Sequence, residues 1–371
     1  ESDLNFAVNN LPSSRGGSYS EAGRPIVSTA KAYLGKVQLY QGKFSDALTN
    51  LESVINSGDY ALASDYFSNF RSDGENGPEA IFAIQFSADG GLAQQGNRGG
   101  TLNFNIRAGL CCGFYQPSID LANAFQTENG LPLLDTYNQT DITNDYGVNS
   151  DEPHTPHTGP LDPRIDFTIG RRGIDLNGYG PNEGKDNVRA AFGDISGPFV
   201  GKKNFYTAGD DTNIGKGGWG EERSGINYHI IRYADVLLMA AEAAVETGNL
   251  EKARGYVNQV RQRAINTPRA DSSPNYVIDT YNSTWTDTNV ARKAVRFERR
   301  LELGMEGHRL FDLRRWGNFV DVMNTYIVNE SRTISNYGQK SNPAQSKHML
   351  LPIPLNAIDT SEGNLKQNPG F

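Results

Sequence analysis

Residues 229–264 read HIIRYADVLLMAAEAAVETGNLEKARGYVNQVRQRA, and residues 28–57 read STAKAYLGKVQLYQGKFSDALTNLESVINS. In the first stretch Ala234, Leu237, Leu238, Ala241, Ala244 and Val245 recur at helical spacing. Gly248 breaks the pattern, and Leu250, Ala253, Val257 and Val260 resume it. The second stretch has the same design. Ala30, Leu34 and Val37 form one stripe, Gly42 interrupts it, and Phe44, Ala47, Leu48, Leu51, Val54 and Ile55 form another. A glycine just past the last periodic residue is a helix stop signal, so each stretch predicts two amphipathic helices joined in a hairpin.

The registers of the two hairpins coincide. Gly35, Gly42 and Ala47 correspond to Ala241, Gly248 and Ala253, each pair 206 positions apart. Small residues spaced seven and then five apart match the tetratricopeptide pattern, in which small side chains let paired helices approach closely. Such repeats usually stand side by side. Here ~200 residues separate them, which argues against a plain solenoid. Neither hairpin can bury its apolar stripe alone, so both are expected in one helical core.

The intervening texture differs. IFAIQFS (81–87) alternates like a short strand, and PSIDLANAFQ (117–126) reads as a short helix with proline at its start. Residues 138–228 are dominated by Gly, Asn, Asp and Pro with isolated aromatics. A loop region that long is functional or disordered, and its spaced Tyr, Phe and Trp favour order. Residues 290–316 predict a third helical segment, rich in charge.

Composition narrows the function. Lys plus Arg number 35 against 43 Asp plus Glu, a net charge of −8, and an acidic surface repels phosphate backbones. Nucleic acid is therefore not an expected partner. No run of ~20 apolar residues exists to span a membrane. The only cysteines, Cys111 and Cys112, are adjacent; with no CxxC spacing they make no zinc site, and two buried thiols are expected over the alternative, a strained vicinal disulfide.

Other constellations fail on context. GKGGWG (215–220) fits GxGxxG but follows no clear strand, as a dinucleotide site would require. His154 and His157 are flanked by Pro153 and Pro156, which break the helix that HExxH metal sites need. Glu298, Glu302 and Glu306 are spaced to share one helical face among Arg299, Arg300, Arg309, Arg314 and Arg315. An arginine–glutamate network locking the helix to the hairpins is expected there. Trp316 and Trp285 are expected to be structural, with Trp316 buried.

RYADVLLMAAEA (232–243), ARKAVRFERRLELGMEGHRLFDLRRWG (291–317) and the ending LLPIPLNAID…NLKQNPGF (350–371) together resemble the SusD/RagB family of Bacteroidetes surface nutrient-binding lipoproteins. IFAIQFS and GFYQPSIDLANAF (113–125) fit as well, and the likeness runs over essentially the whole chain. Family members begin with a lipid-anchored cysteine and several further helices, neither of which is seen here. The resemblance implies a mainly α-helical, SusD-like fold with tetratricopeptide-like hairpins and long irregular insertions. It implies no enzymatic activity and no cofactor. It further implies capture of oligosaccharide or polysaccharide at the outer-membrane surface and delivery to a SusC-like TonB-dependent transporter.

On this reading residues 1–371 form one body. Hairpins lie at 25–57 and 229–264, a loop-rich insertion at 80–228, and a signature helix and tail at 290–371. The ligand surface is expected in the insertion, chiefly residues 165–225. Sugar rings stack on open aromatic faces while their hydroxyls need polar side chains. Trp219 among Gly215, Gly217, Gly218 and Gly220, Tyr179 with Arg172, Asp175 and Asn177, and Tyr206 offer both. No metal site is expected. A glycoside hydrolase on a helical scaffold is the alternative. It requires two opposed carboxylates ~5–10 Å apart, for which Asp162, Asp166, Asp175 and Asp210 are the loop candidates. A peptide-binding hairpin scaffold is the third class.

Overall fold

The computed structural model describes residues 1–88, 96, 115–188, 197–203, 207–210, 214–216 and 222–371. Helix α1 is Ser2–Asn10. The first hairpin consists of α2 (Val27–Tyr40) and α3 (Phe44–Ile55). Gly42 between them has φ +73°, a left-handed conformation that glycine adopts without penalty. Strand β1 (Ala80–Ile84) pairs antiparallel with β2 (Tyr228–Arg232). The second hairpin, α5 (Tyr233–Glu246) and α6 (Leu250–Asn266), follows β2 directly, after the short α4 (Ile119–Ala124). Its turn glycine, Gly248, has φ +79°.

Residues 229–232 are thus strand, not the start of the second hairpin. His229 and Ile231 pair with Ala83 and Phe82 of the partner strand, which a hydrophobic count at helical spacing does not register. In α4, Ser118 rather than Pro117 caps the helix: its hydroxyl oxygen accepts from the Leu121 N–H.

One buried cluster joins both hairpins. Leu39, Leu48, Leu51 and Val54 pack with Leu237, Leu238, Val257 and Val260, and α3 lies against α5. Helix α7 (Thr288–Glu302) is the shared wall. Its Ala291, Ala294 and Val295 belong to this cluster. Its Phe297 and Leu301 face a second cluster, with Ile119, Phe125, Leu161, Ile165 and Phe199 of the insertion. Helices α8 (Arg309–Arg315) and α9 (Phe319–Glu330) complete this end.

The charged segment 290–316 is two helices. Met305 (φ +64°) and Gly307 (φ +82°) turn the chain between α7 and α8, so Glu306 leaves the helical face that holds Glu298 and Glu302. Trp285 is 8% exposed, packed edge-on against Tyr281. Trp316 is only half-buried; its indole N–H reaches Glu242 on α5.

The close approach inside the first hairpin is at Gly35. A Cβ there would stand 2.7 Å from Leu51 Cγ and 3.3 Å from the Ala47 carbonyl, and Leu51 is fully buried. Gly35→Val is expected to destabilise by ~1–3 kcal/mol through overpacking. Gly255 in α6 instead faces open space, so Gly255→Ala should stabilise by about 1 kcal/mol through helix propensity. Urea midpoints of the two variants, moving in opposite directions, check both; a neutral Gly35→Val would refute the close packing.

Candidate functional site

The insertion is mounted on the helices by a buried charge network. Arg164 donates to Asp162 at 2.7 Å, Glu298 at 2.6 Å and Glu302 at 3.0 Å. Arg232 at the end of β2 donates to Glu302 at 2.7 Å, Glu79 at 3.0 Å and both oxygens of Glu306, at 2.8 and 2.9 Å. Arg263 bridges Glu79 and Glu302, Arg261 meets Glu298 at 2.9 Å, and Lys203 meets Glu306 at 2.7 Å. All ten residues are buried, and five cations balance five anions.

Burial alone would raise the Glu306 carboxyl, but Arg232 and Lys203 outweigh it and hold it at about 2. The same contest, won by Arg263, Arg232 and Arg164, keeps Glu302 well below the ordinary carboxylate range. Asp162 is lowered in the same way by Arg164 and Arg261. Carboxylates so held suit a salt bridge, not a proton donor.

A second buried pair steadies the next segment. Arg171 clamps Asp166 with two bonds of 2.6 and 2.7 Å, and the Tyr276 hydroxyl donates to the same carboxylate at 2.6 Å. Lys202 lies beneath, donating to the Asp166 and Asp175 carbonyls at 2.6 and 2.7 Å; burial lowers its pKa to about 8. Asp162 and Asp166, two of the four loop carboxylates that a hydrolase could use, are therefore fully buried and engaged by arginine.

Residues 171–184 form a tight loop on this base. Asp175 accepts from the Gly178 N–H at 2.7 Å and the Gly180 N–H at 3.2 Å. The Leu176 N–H donates to the Gly180 carbonyl. Asn177 (φ +51°) and Gly178 (φ +83°) make the turn, as an Asn-Gly pair readily does. The Asn177 amide nitrogen donates to the Lys202 carbonyl at 3.0 Å, and its own carbonyl accepts from Ala208. This seats the turn against residues 207–210. The Arg172 guanidinium donates to the carbonyls of Asn149, Ser150 and Glu152.

Of the six expected ligand residues, the structure brings Arg172, Asp175, Asn177 and Tyr179 into this one loop. Three of those side chains brace it, and Tyr179 remains half-buried at its tip. Asp210 accepts from Ser72 at 2.7 Å. Trp219, Tyr206 and the pair Cys111–Cys112 lie outside the described residues. His154 and His157 are partly exposed, and no group of three metal-ligating side chains occurs among the described residues.

A concavity absent from the sequence expectations lies between α2, β2 and the turn into α8. It has a volume of about 640 Å³ and is walled by Tyr33, Tyr40, Tyr228 and Phe311 with Lys36 and His308. Tyr40 and Phe311 are 41% and 53% exposed. Tyr33 and Tyr40 stand seven apart on one helix, a signal visible in the sequence. Their partners come from positions nearly 200 and 280 residues away, which is not.

Among the described residues no helix is long and apolar enough to cross a membrane. A family model described as SusD family matches residues 78–371. SusD-like protein P2 of Formosa agariphila is 26% identical over 376 residues, covering all of this chain and 63% of that protein. SusD-like protein P38 of the same organism is 26% identical over 79% of this chain and 52% of its own length. The chain thus spans about half to two thirds of these relatives. A SusD superfamily protein from Bacteroides vulgatus shares the fold, with a TM-score of 0.66 and 24% identity over the whole chain and 67% of that structure. Surface glycan-binding protein A from Bacteroides thetaiotaomicron, solved with laminarihexaose, gives a TM-score of 0.62 and 21% identity, covering 99% of this chain and 69% of that one. With the insertion, the second hairpin and the C-terminal segment 290–371 all inside the span that the family model matches, the chain belongs to the SusD family.

Proposed function

We propose that this protein binds oligosaccharide or polysaccharide at the cell surface without cleaving it and hands it to a SusC-like TonB-dependent transporter. The observation that carries the binding reading is the 171–184 loop. Asp175 closes its turn while Arg172 and Asn177 tie it to neighbouring backbone, so a tyrosine is carried on a braced turn. Rigid aromatic platforms stack on the C–H faces of sugar rings, and preorganisation keeps the entropy of binding low. In support, one protein of the same fold is a surface glycan-binding protein solved with laminarihexaose, and another is a laminarin-binding SusD-like protein. Trp219 and Tyr206 are proposed to extend the platform, with Arg172, Asp175 and Asn177 positioning it. Attachment to the outer membrane would be through a lipid anchor.

The aromatic concavity at Tyr33, Tyr40 and Phe311 favours a second reading, with sugar bound against the first hairpin. Retention on a polysaccharide panel, read beside release of reducing ends, tests the function. Tyr179→Ala and Trp219→Ala are each expected to weaken retention ~5- to 150-fold, the range of one lost stacking contact, with no reducing ends released by any form. If only Tyr40→Ala weakens retention, the second reading holds. Reducing-end release abolished by a single Asp or Glu substitution would overturn the non-catalytic proposal.

A further inference from the structure

A separate cavity of about 590 Å³ opens between α4, the 303–308 turn, α8 and α9. Its body is apolar, formed by Leu121, Leu303, Leu313, Val322 and Met323. The Tyr326 and Tyr337 hydroxyls on its wall bond to each other at 2.7 Å. Five charged side chains line it: Arg299, Arg300, Arg309, Asp120 and Asp312.

Four of the five are accounted for. Arg299 holds Asp312 at 3.0 Å and also Asp235, and Arg300 holds Asp120. Arg309 has no hydrogen-bond or ion-pair partner among the described residues; its guanidinium lies 6.0 Å from the Trp316 ring centroid and feels Asp312 and Asp120 only beyond ion-pair distance. Burial and neighbouring Arg300 lower its pKa to about 10, so it is still a cation at neutral pH. Burial likewise lowers His308 from 6.5, so that neighbour adds little charge at pH 7.

The cavity wall therefore carries three arginines against two aspartates, with Arg309 the one left without an ion-pair partner. A cation half-removed from water without a partner is unfavourable, and a bound anion relieves it. A planar guanidinium matches a carboxylate with two parallel hydrogen bonds. A single cation offsets a single negative charge, whereas a phosphate dianion would leave one charge over. We propose that this cavity binds an amphipathic monocarboxylate, its carboxylate on Arg309 and its hydrocarbon body against Leu121, Leu313, Val322 and Met323. This site shares no residue with the 171–184 loop and stands independently of the glycan reading.

Calorimetric titration of the purified protein tests it, with octanoate and 4-phenylbutanoate as probes. Octan-1-ol and 4-phenylbutan-1-ol supply the body without charge, glucuronate the charge without an apolar body, and octyl phosphate the dianion. One equivalent of each acid is expected to bind, at least ~10-fold tighter than its alcohol, as a hydrogen bond to a charged group implies. Glucuronate and octyl phosphate should be weaker than octanoate. Arg309→Met should erase the preference of acid over alcohol, and Met323→Trp, which fills the cavity, should abolish binding of both with the melting temperature unchanged. Failure of both acids to bind, equal affinity for acid and alcohol, tighter binding of glucuronate or octyl phosphate, or an undiminished acid preference in Arg309→Met would each overturn the proposal.

Discussion

Replacing Glu302 with alanine is expected to destabilise the protein by ~3–5 kcal/mol, the usual consequence of removing one partner of a buried ion pair. Glu302 receives Arg164, Arg232 and Arg263, and with it gone, five buried cations are left facing four carboxylates. The loss is expected to lower the melting temperature by about 5 °C, from the entropy of unfolding of a chain this long. Glu302→Gln should be nearly as damaging, since it keeps the shape but not the charge. The exposed pair Lys293–Asp135 has the same type of contact, at 2.6 Å, yet both side chains are more than half exposed. Asp135→Ala is expected to shift melting by no more than about 1 °C, because solvent screens such pairs. Thermal melts of the three variants decide the matter. A Glu302→Ala protein melting within 1 °C of the parent would show that the network does not hold the insertion to the helices.

The hairpins were legible because their determinants are local. A stripe of apolar residues, a small residue at each crossing and a glycine at each turn lie within 30 positions, and each has the same physical meaning in any context. The charge network was half legible. Glu298 and Glu302 declare themselves by spacing, but Arg164, Glu79 and Lys203 arrive from segments whose path no local rule gives. Helical spacing runs straight through Gly304-Met305-Glu306-Gly307 on paper, while in the fold the helix ends at Glu302 and the left-handed Met305 and Gly307 turn the chain, which takes Glu306 off that face.

In the candidate site, DLNG (175–178) is a turn signal as well as a set of polar side chains. Aspartate three residues ahead of a glycine, with Leu-Asn between, caps its own turn. That accounts for Asp175 and Asn177 serving as braces beneath Tyr179. The two cavities were illegible for a different reason. Each is the space left between elements distant in sequence, and the residues that make them distinctive, Phe311 beside Tyr40 and an Arg309 without a carboxylate, acquire meaning only from what surrounds them.

Glu330 at the end of α9 is expected to make the protein less stable as pH rises from 4.5 toward 8, and Glu330→Gln to remove that dependence. The residue is 2% exposed and accepts the Asp120 N–H at 2.8 Å, so it caps the start of α4 from across the second core. Burial raises its pKa, the Asp120 N–H partly offsets this, and the negative charges of Asp120 and Asp141 raise it further, from 4.5 to about 7. A folded-state value above the unfolded one means the native protein prefers the protonated form. The stabilisation is fully present below 4.5 and is lost as pH passes through about 7, where a buried charge must be carried. The full swing is about 3 kcal/mol, from 1.36 kcal/mol per unit. Glutamine keeps an acceptor for the Asp120 N–H and carries no charge at any pH. Glu330→Gln should therefore exceed the parent by ~2–3 kcal/mol at pH 8 and match it within about 0.5 kcal/mol at pH 4.5. The other titrating groups, including the buried carboxylates that favour folding above acid pH, are common to both proteins and cancel in the difference. Urea unfolding of the pair at the two pH values reads it directly. Parallel stability curves, or a variant weaker at pH 8 than at pH 4.5 relative to the parent, would mean that Glu330 is ionised in the native state with its charge already compensated.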